Sequence, residues 1–204
     1  MLFRSPPSNN ILRLIATAAK AANDTRGAID RLSAQVEPAG LSKEINFGSA
    51  SRDDLEAFRR DLRTAEANAT TFLPRYGAIL KAEHDQVESA ALSLRVPKEI
   101  ASRGLDGLTQ RQAKALDAIS VSLSARADYY RAYEKYLALL SSEFGSFKVV
   151  NGQLIFPLQR TFERYNAAAQ AMRSAAKRVN DLETDVKKQN QPLPEEWIQL
   201  TGIK

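Results

Sequence analysis

The chain has 204 residues, of which 44% are hydrophobic and 26% charged, so it can bury one core without disulfide or metal support. It contains no Cys, which excludes thiol nucleophiles, Cys-ligated zinc and disulfides. The net charge of +5 is a small surplus, and acids are spread among the bases. Nucleic-acid binders concentrate Lys and Arg on one face, so nucleic acid is not an expected partner.

The N-terminal region predicts a flexible lead-in followed by a helix. Residues 1–10 form the lead-in, because two prolines, Ser and Asn follow one another there. A helix is predicted from about residue 11 to 36, ending before Pro38. Arg13 and Lys20 interrupt its apolar start, which favours an amphipathic helix over a secretion signal. Its apolar seam has three- and four-residue spacing and comprises Leu12, Ile15, Ala19, Ala22, Ile29 and Val36.

A second long helix is predicted from Ser51 to the Val96-Pro97 pair. Ser51 is a favourable N-cap, and Asp53 and Asp54 lie in the first turn, where carboxylates meet the positive end of the helix dipole. The apolar seam runs to Leu94 with one polar gap. Pro74 lies inside the seam and cannot donate a backbone hydrogen bond, so a kink or a break is predicted there.

The third helix is predicted to begin near residues 105–108 and to continue to about Phe144. Its apolar stripe comprises Leu108, Ala115, Ile119, Leu123, Tyr130, Tyr133, Leu137, Leu140 and Phe144. Two β-prone runs then flank Asn151-Gly152, whose residues tolerate positive φ. The pattern predicts a β-hairpin at about residues 147–156.

The last helix is predicted to begin at Pro157, which suits a first helical turn, and to end at Gln189. Its seam comprises Leu158, Phe162, Tyr165, Ala169, Met172, Ala176, Val179 and Val186. Residues 190–204 are a C-terminal tail that either is mobile or docks on the bundle through Trp197, Ile198 and Leu200. Four such seams predict one all-α domain over residues 11–189, an antiparallel bundle of about four long helices with a small hairpin before the last.

The chain offers few residues for catalysis. His84 and Glu88 have the spacing of a metal or acid/base pair, but a single His without Cys favours a solvated helix face. Asp53 and Asp54 have the capping role already given, and a second run of carboxylates points to different helix faces: Asp181, Glu183 and Asp185. No Gly-rich phosphate motif occurs. The sequence therefore predicts no catalytic residue, no metal ion and no cofactor.

An aromatic cluster in the third helix is the most unusual feature of the sequence. Helical spacing brings several rings to the edge of the core, where the hydroxyls need polar partners. The favoured interpretation is packing at the core boundary. The alternative is a groove for a ligand or a peptide helix, lined by Arg126, Tyr129, Tyr130, Tyr133 and Tyr136.

Two short stretches carry a family resemblance. One is Leu94-Arg95-Val96-Pro97, and the other comprises Val150-Asn151-Gly152, Phe156-Pro157 and Tyr165-Asn166. Between about residues 70 and 175 the chain resembles a family of uncharacterised bacterial lipoproteins, a domain of unknown function. The resemblance implies a helical protein attached to the cell envelope by a lipidated Cys, which this sequence lacks. The family supplies no catalytic residues to transfer.

These observations predict a non-enzymatic interaction or structural protein of the bacterial cell envelope. The alternative is a ligand-binding bundle of the sensory type with a tyrosine-lined pocket. The expected partner is a protein or a small ligand, and peripheral membrane contact by the basic first helix is a further possibility. Localisation in the envelope or periplasm follows from the resemblance; without it, the expected compartment is the cytoplasm.

Overall fold

The computed structural model describes residues 7–42 and 45–189 and shows an all-α bundle with one hairpin. In this part of the chain the elements are α1 (Pro7–Ser33), a 3-10 turn (Ala39–Ser42), α2 (Arg52–Ser93), α3 (Lys98–Ser142), β1 (Lys148–Val150), β2 (Gln153–Ile155) and α4 (Gln159–Gln189). The predicted fold class is confirmed. None of the described helices is both long and apolar enough to cross a membrane.

α1 begins earlier and ends earlier than the sequence predicts. It starts at Pro7, where the missing amide costs nothing because a first-turn N–H has no helical partner. After Ser33 the chain tightens, and the amide of Val36 donates to the Ser33 carbonyl at 3.1 Å. The predicted seam is wrong at four of its six residues, since Leu12 is 65% exposed, Ile15 is 59% exposed, and Ala19 and Ala22 are exposed as well.

α2 is one uninterrupted helix, so the predicted break near Pro74 does not occur. Pro74 and Thr70, whose carbonyl loses its amide partner, are both exposed, and water can satisfy that carbonyl. Whether the helix bends there stays a prediction. The polar gap in the seam is bridged by Leu80 and Glu83, both of which are buried. The Glu83 carboxylate accepts a hydrogen bond from the Gln112 amide at 3.1 Å.

α3 begins at Lys98, well before the predicted start. Pro97 occupies the position before the helix, and Gly104 and Gly107 lie inside it. The far end also differs from prediction, because α3 ends at Ser142 and Phe144 is 42% exposed instead of buried.

The architecture is a long antiparallel pair, α2 and α3, with a shorter helix on each half. α1 runs antiparallel to α2, since the Asn68 amide donates to the Gln35 carbonyl at 2.8 Å while Ala21 packs with Val87. α4 runs antiparallel to α3, with Arg178 placed 3.7 Å from Asp128. One half therefore comprises α1, α2 and the opening of α3, and the other comprises α2, α4 and the closing part of α3.

The hydrophobic core divides in the same way. The main cluster contains residues from all four helices and includes Leu55, Leu62, Leu137, Leu140 and Ala169. A smaller cluster of Ala21, Val87 and Leu108 lies under α1. The half of the bundle near α1 thus has the thinner core.

The predicted hairpin is confirmed. β1 and β2 pair antiparallel, and the turn residues Asn151 and Gly152 have φ of 50° and 76°. The predicted seam of α4 is wrong at its first positions, because Leu158 is 64% exposed and Phe162 is 41% exposed. Its later residue Ala169 is buried as expected. The predicted tail, residues 190–204, lies outside the described residues.

Candidate functional site

The predicted tyrosine cluster lies where α2, α3 and α4 meet. Tyr130 and Tyr136 are buried, with 3% and 6% exposure, and Tyr129 and Tyr133 are half-buried. The four rings form a continuous row, with neighbouring centroids 5.7 to 6.2 Å apart. The row is enclosed by three rings from other segments: Phe47, Phe58 and Tyr165.

Arg126 joins this cluster to two distant parts of the chain. Its guanidinium donates to Glu183 of α4 at 2.7 Å and to Glu37, in the loop after α1, at 3.3 Å. The Tyr130 hydroxyl donates to the same Glu37 carboxylate. The end of α1, the middle of α3 and the last turns of α4 therefore converge on one guanidinium.

The tyrosine hydroxyls stay protonated at neutral pH. Burial, with a smaller effect of Tyr129, raises the pKa of Tyr133 to about 12. Burial also raises the pKa of Tyr130, and the Glu37 carboxylate adds to the rise. For Tyr136 the pKa is raised by burial and then by its hydrogen bond with Tyr165. These phenols are poorly suited to general-base catalysis.

The geometry agrees with packing at the core boundary, the interpretation that the sequence favours. Five surface cavities of the described part are lined by residues other than the four tyrosines. A ligand groove at the cluster stays a prediction.

A polar network between α2 and α3 was missed by sequence analysis. The Arg59 guanidinium donates to Glu134 at 2.8 Å and to Glu56 at 2.7 Å, and Arg59 and Glu134 have side-chain exposures of 19% and 17%. The buried Ser141 hydroxyl also donates to Glu56, which lowers the pKa of that carboxyl. The i,i+3 spacing of Glu56 and Arg59 was the available local signal. Every charged group of the network is paired, so it holds two helices in register.

The structure brings His84, Asp85 and Glu88 together on the outer face of α2. One ligand atom from each lies within 4.8 Å of the others. Asp85 is already paired with Lys81 at 2.6 Å, and both acids are exposed. The arrangement matches a solvated helix face, and exposed acids of this kind do not by themselves make a metal site.

The neighbouring carboxylates that the sequence offers as a catalytic pair each interact with a different local partner. Asp54 completes a capping box, in which its amide donates to the Ser51 hydroxyl at 3.1 Å and the Ser51 amide donates to its carboxylate at 2.9 Å. The expected capping role of Ser51 is thus confirmed. Asp181 pairs with Lys177 at 2.6 Å and Glu183 pairs with Arg126, so these two carboxylates do not converge.

An apolar groove of about 460 Å³ lies at the other end of the bundle from the hairpin, between α1, α2 and the first turns of α3. We call it the distal groove. It is lined chiefly by Leu14, Ala18, Val87, Ala91, Leu105 and Leu108. Ile15 and Ile100, at 59% and 43% exposure, also line it.

Two charged residues line the distal groove: Arg111 and the buried Glu83, whose carboxylate accepts a hydrogen bond from Gln112. Among the described residues, none forms a hydrogen bond or an ion pair with the Arg111 guanidinium. The groove can therefore accept an apolar surface that has an acidic group near one end. Sequence analysis did not predict the groove, and the available signal was the apolar residues Ile15 and Ile100.

A second group of exposed apolar residues lies at the hairpin end of the bundle. We call it the hairpin-end patch: Phe144, Val150, Ile155, Leu158 and Phe162, with exposures of 41 to 64%. Ring contacts of Phe147 with Phe144 and Phe156 connect the end of α3 to the hairpin. The ring contacts continue from Phe156 through Tyr165 to Tyr136, so this patch adjoins the tyrosine cluster.

The chain matches no protein-family model, and neither the curated proteins nor the solved structures contain a match to it. The resemblance to bacterial lipoproteins therefore stays a prediction.

Proposed function

We propose that this protein is a non-enzymatic interaction protein that binds a protein partner through the hairpin-end patch. The observation that carries the proposal is the concentration there of five large exposed apolar side chains, drawn from the end of α3, the hairpin and the start of α4. Large apolar patches on a protein surface mark binding sites more often than isolated exposed residues do.

The hairpin presents an outward face of mixed character. Residues paired across the strands share a face, so Lys148 lies beside Ile155 and Val150 beside Gln153. Their inward counterparts, Val149 and Leu154, are half-buried against the bundle. The outward face thus has two apolar side chains next to a cation.

The start of α4 extends this surface. Leu158 and Phe162 are one turn apart on the same helical face, and both are exposed. Among the described residues, the nearby hairpin residue Lys148 has no ion-pair partner. This unpaired cation beside apolar side chains favours a partner that presents an apolar segment next to an acidic residue.

The proposal includes the absence of catalysis and a place in the bacterial cell envelope. The first is supported by the pairing of Asp54, Asp181 and Glu183 with a cap or a cation and by the raised pKa values of the buried tyrosines. The second is supported by the family resemblance alone. Ligand binding at the tyrosine cluster is the less supported function, because the five cavities described above are lined by other residues.

The test begins with a photo-crosslinking amino acid in place of Leu158 in the full chain, expressed in cells. We expect one discrete partner to be crosslinked, and we then measure its affinity for the purified protein. Leu158→Asp should weaken binding at least about tenfold, because an apolar contact is replaced by a desolvated carboxylate. The Leu158 carbonyl accepts hydrogen bonds from the amides of Thr161 and Phe162, so residue 158 is at the N-cap, where Asp is favoured.

Val121→Asp is the matched control, since Val121 is an apolar residue of α3 with 50% exposure outside the hairpin-end patch. It should bind the partner with wild-type affinity. The proposal is wrong if no discrete partner is crosslinked, or if the purified partner binds Leu158→Asp and the wild type equally. Catalytic turnover by the purified chain that a surface substitution abolishes would also contradict it.

A further inference from the structure

The distal groove lacks a fourth helix in the described part of the chain. At the hairpin half, α4 covers α3, whereas at the other half α1, α2 and α3 leave an apolar channel between them. A surface of this size that is lined by Leu14, Leu105 and Leu108 gains free energy when another apolar segment covers it. The question is which segment is available.

The direction of α4 indicates that the residues following it in the sequence are the segment that can cover the groove. Arg164 lies 4.0 Å from Glu143, Arg178 lies 3.7 Å from Asp128, and Glu183 pairs with Arg126. Each step along α4 thus corresponds to about one step back along α3. Continued at this rate, the register places Gln189 about level with Ala118, two turns from Arg111.

The last turns of α4 also lie on the side of the bundle occupied by α1. Arg126 donates both to Glu183 of α4 and to Glu37, which follows α1. A chain that leaves α4 in this direction enters the space between α1 and α3. That space is the distal groove, whose α3 side extends from Arg111 to Ile100.

The sequence after Gln189 has the composition that the groove requires. Residues 190–204 include five large apolar side chains: Leu193 precedes the acidic pair Glu195-Glu196, and four follow it, Trp197, Ile198, Leu200 and Ile203. α4 ends at Gln189, and Pro192 and Pro194 do not allow the helix to continue, so the reach of an extended chain applies to the residues that follow. From the level of Ala118, Arg111 lies ~10 Å and Ile100 ~27 Å along α3. An extended chain covers ~20 Å in the six residues from 190 to 195 and ~50 Å in fifteen, so the acidic pair can reach Arg111 and the segment can span the groove.

We propose that residues 190–204 fold back over the distal groove, with Glu195 or Glu196 paired to Arg111 and the side chains of Trp197, Ile198 and Leu200 inside the groove. The segment then completes the bundle at the end where α4 is too short to reach. The proposal does not depend on the function assigned to the hairpin-end patch.

The chain's single tryptophan makes the test direct, because Trp197 is the only source of tryptophan fluorescence. In the full wild-type chain we expect a blue-shifted emission maximum and weak quenching by acrylamide. Gly104→Glu places a carboxylate in the groove; a Cβ at Gly104 meets no atom within 4 Å, and Glu is a better helix former than Gly. It should shift the emission to that of exposed tryptophan and strengthen quenching, without loss of helical circular dichroism.

Gly77→Glu is the matched control. Gly77 is also a helix-interior glycine with open space at its Cβ, and it does not line the distal groove. Its emission and quenching should equal those of the wild type. The proposal is wrong if wild-type Trp197 is already quenched as readily as free tryptophan, or if the two glycine variants change the fluorescence equally.

A second measurement uses the absence of native Cys. The double variant Ala101→Cys, Leu200→Cys should form a disulfide within one chain under mild oxidation, whereas Gly77→Cys with Leu200→Cys should not. Disulfides formed only between chains would show that a second copy occupies the groove, and that result would overturn the proposal.

Discussion

Replacing Leu137 by Ala tests the assignment of the buried face of α3. Leu137 has 0% exposure and belongs to the main cluster, where residues of α2, α3 and α4 pack together. Truncation removes three carbon atoms and leaves a cavity that surrounding helices fill only in part. We expect a loss of about 3 kcal/mol in the free energy of unfolding, within the range for buried Leu→Ala changes.

The measurement is urea unfolding followed by circular dichroism, with linear extrapolation to water. The slope with denaturant should stay unchanged if the native and unfolded states keep their surface areas. Val121→Ala, at a residue of the same helix with 50% exposure, should change stability by no more than about 0.5 kcal/mol. Equal losses for the two variants would refute the assigned face of α3.

Three further predictions concern local features. Ser51→Ala removes the N-cap of α2 and should lower the free energy of unfolding by about 1 kcal/mol in the same urea assay. Gly152→Ala places a side chain in a turn with φ of 76° and should lower the melting temperature. A change to Ala at an exposed residue of β1 should not lower it in this way. The Ser141 hydroxyl lowers the pKa of Glu56, so this contribution is present above the ordinary value of 4.5 and is lost as the pH falls through the lowered value. Ser141→Ala should therefore flatten the acid dependence of stability, and an unchanged pH profile would contradict the role of this hydrogen bond.

Features set by neighbouring residues could be predicted from the sequence. The Asn151-Gly152 turn and the Ser51 cap each depend on a few consecutive residues, and both are present. The existence and order of the helices likewise follow from long apolar periodicity. The break at Pro74 was wrongly predicted, because packing on both sides of α2 outweighs one missing hydrogen bond.

Features that depend on distant residues could not be predicted. Periodicity identifies an apolar stripe but not how much of it another helix covers, so Leu12, Leu158 and Phe162 were assigned to the core although they are exposed. The ion-pair partners between helices could not be predicted for the same reason. Arg59 and Glu134 are 75 residues apart in sequence, and no local pattern indicates that they meet.

The unequal coverage of α3 explains both the tyrosine cluster and the distal groove. Over its closing half, residues around most of the helix circumference are buried, because α2 and α4 pack on different sides: Tyr136, Leu137, Leu139, Leu140 and Ser141. Over its opening half Leu108 is the buried residue. Large rings therefore occupy the space where three helices meet. An apolar surface is left uncovered at the half of the described bundle where no fourth helix packs. A chain with this imbalance gains most from a segment that covers the opening half, and residues 190–204 follow directly from the helix that leads there.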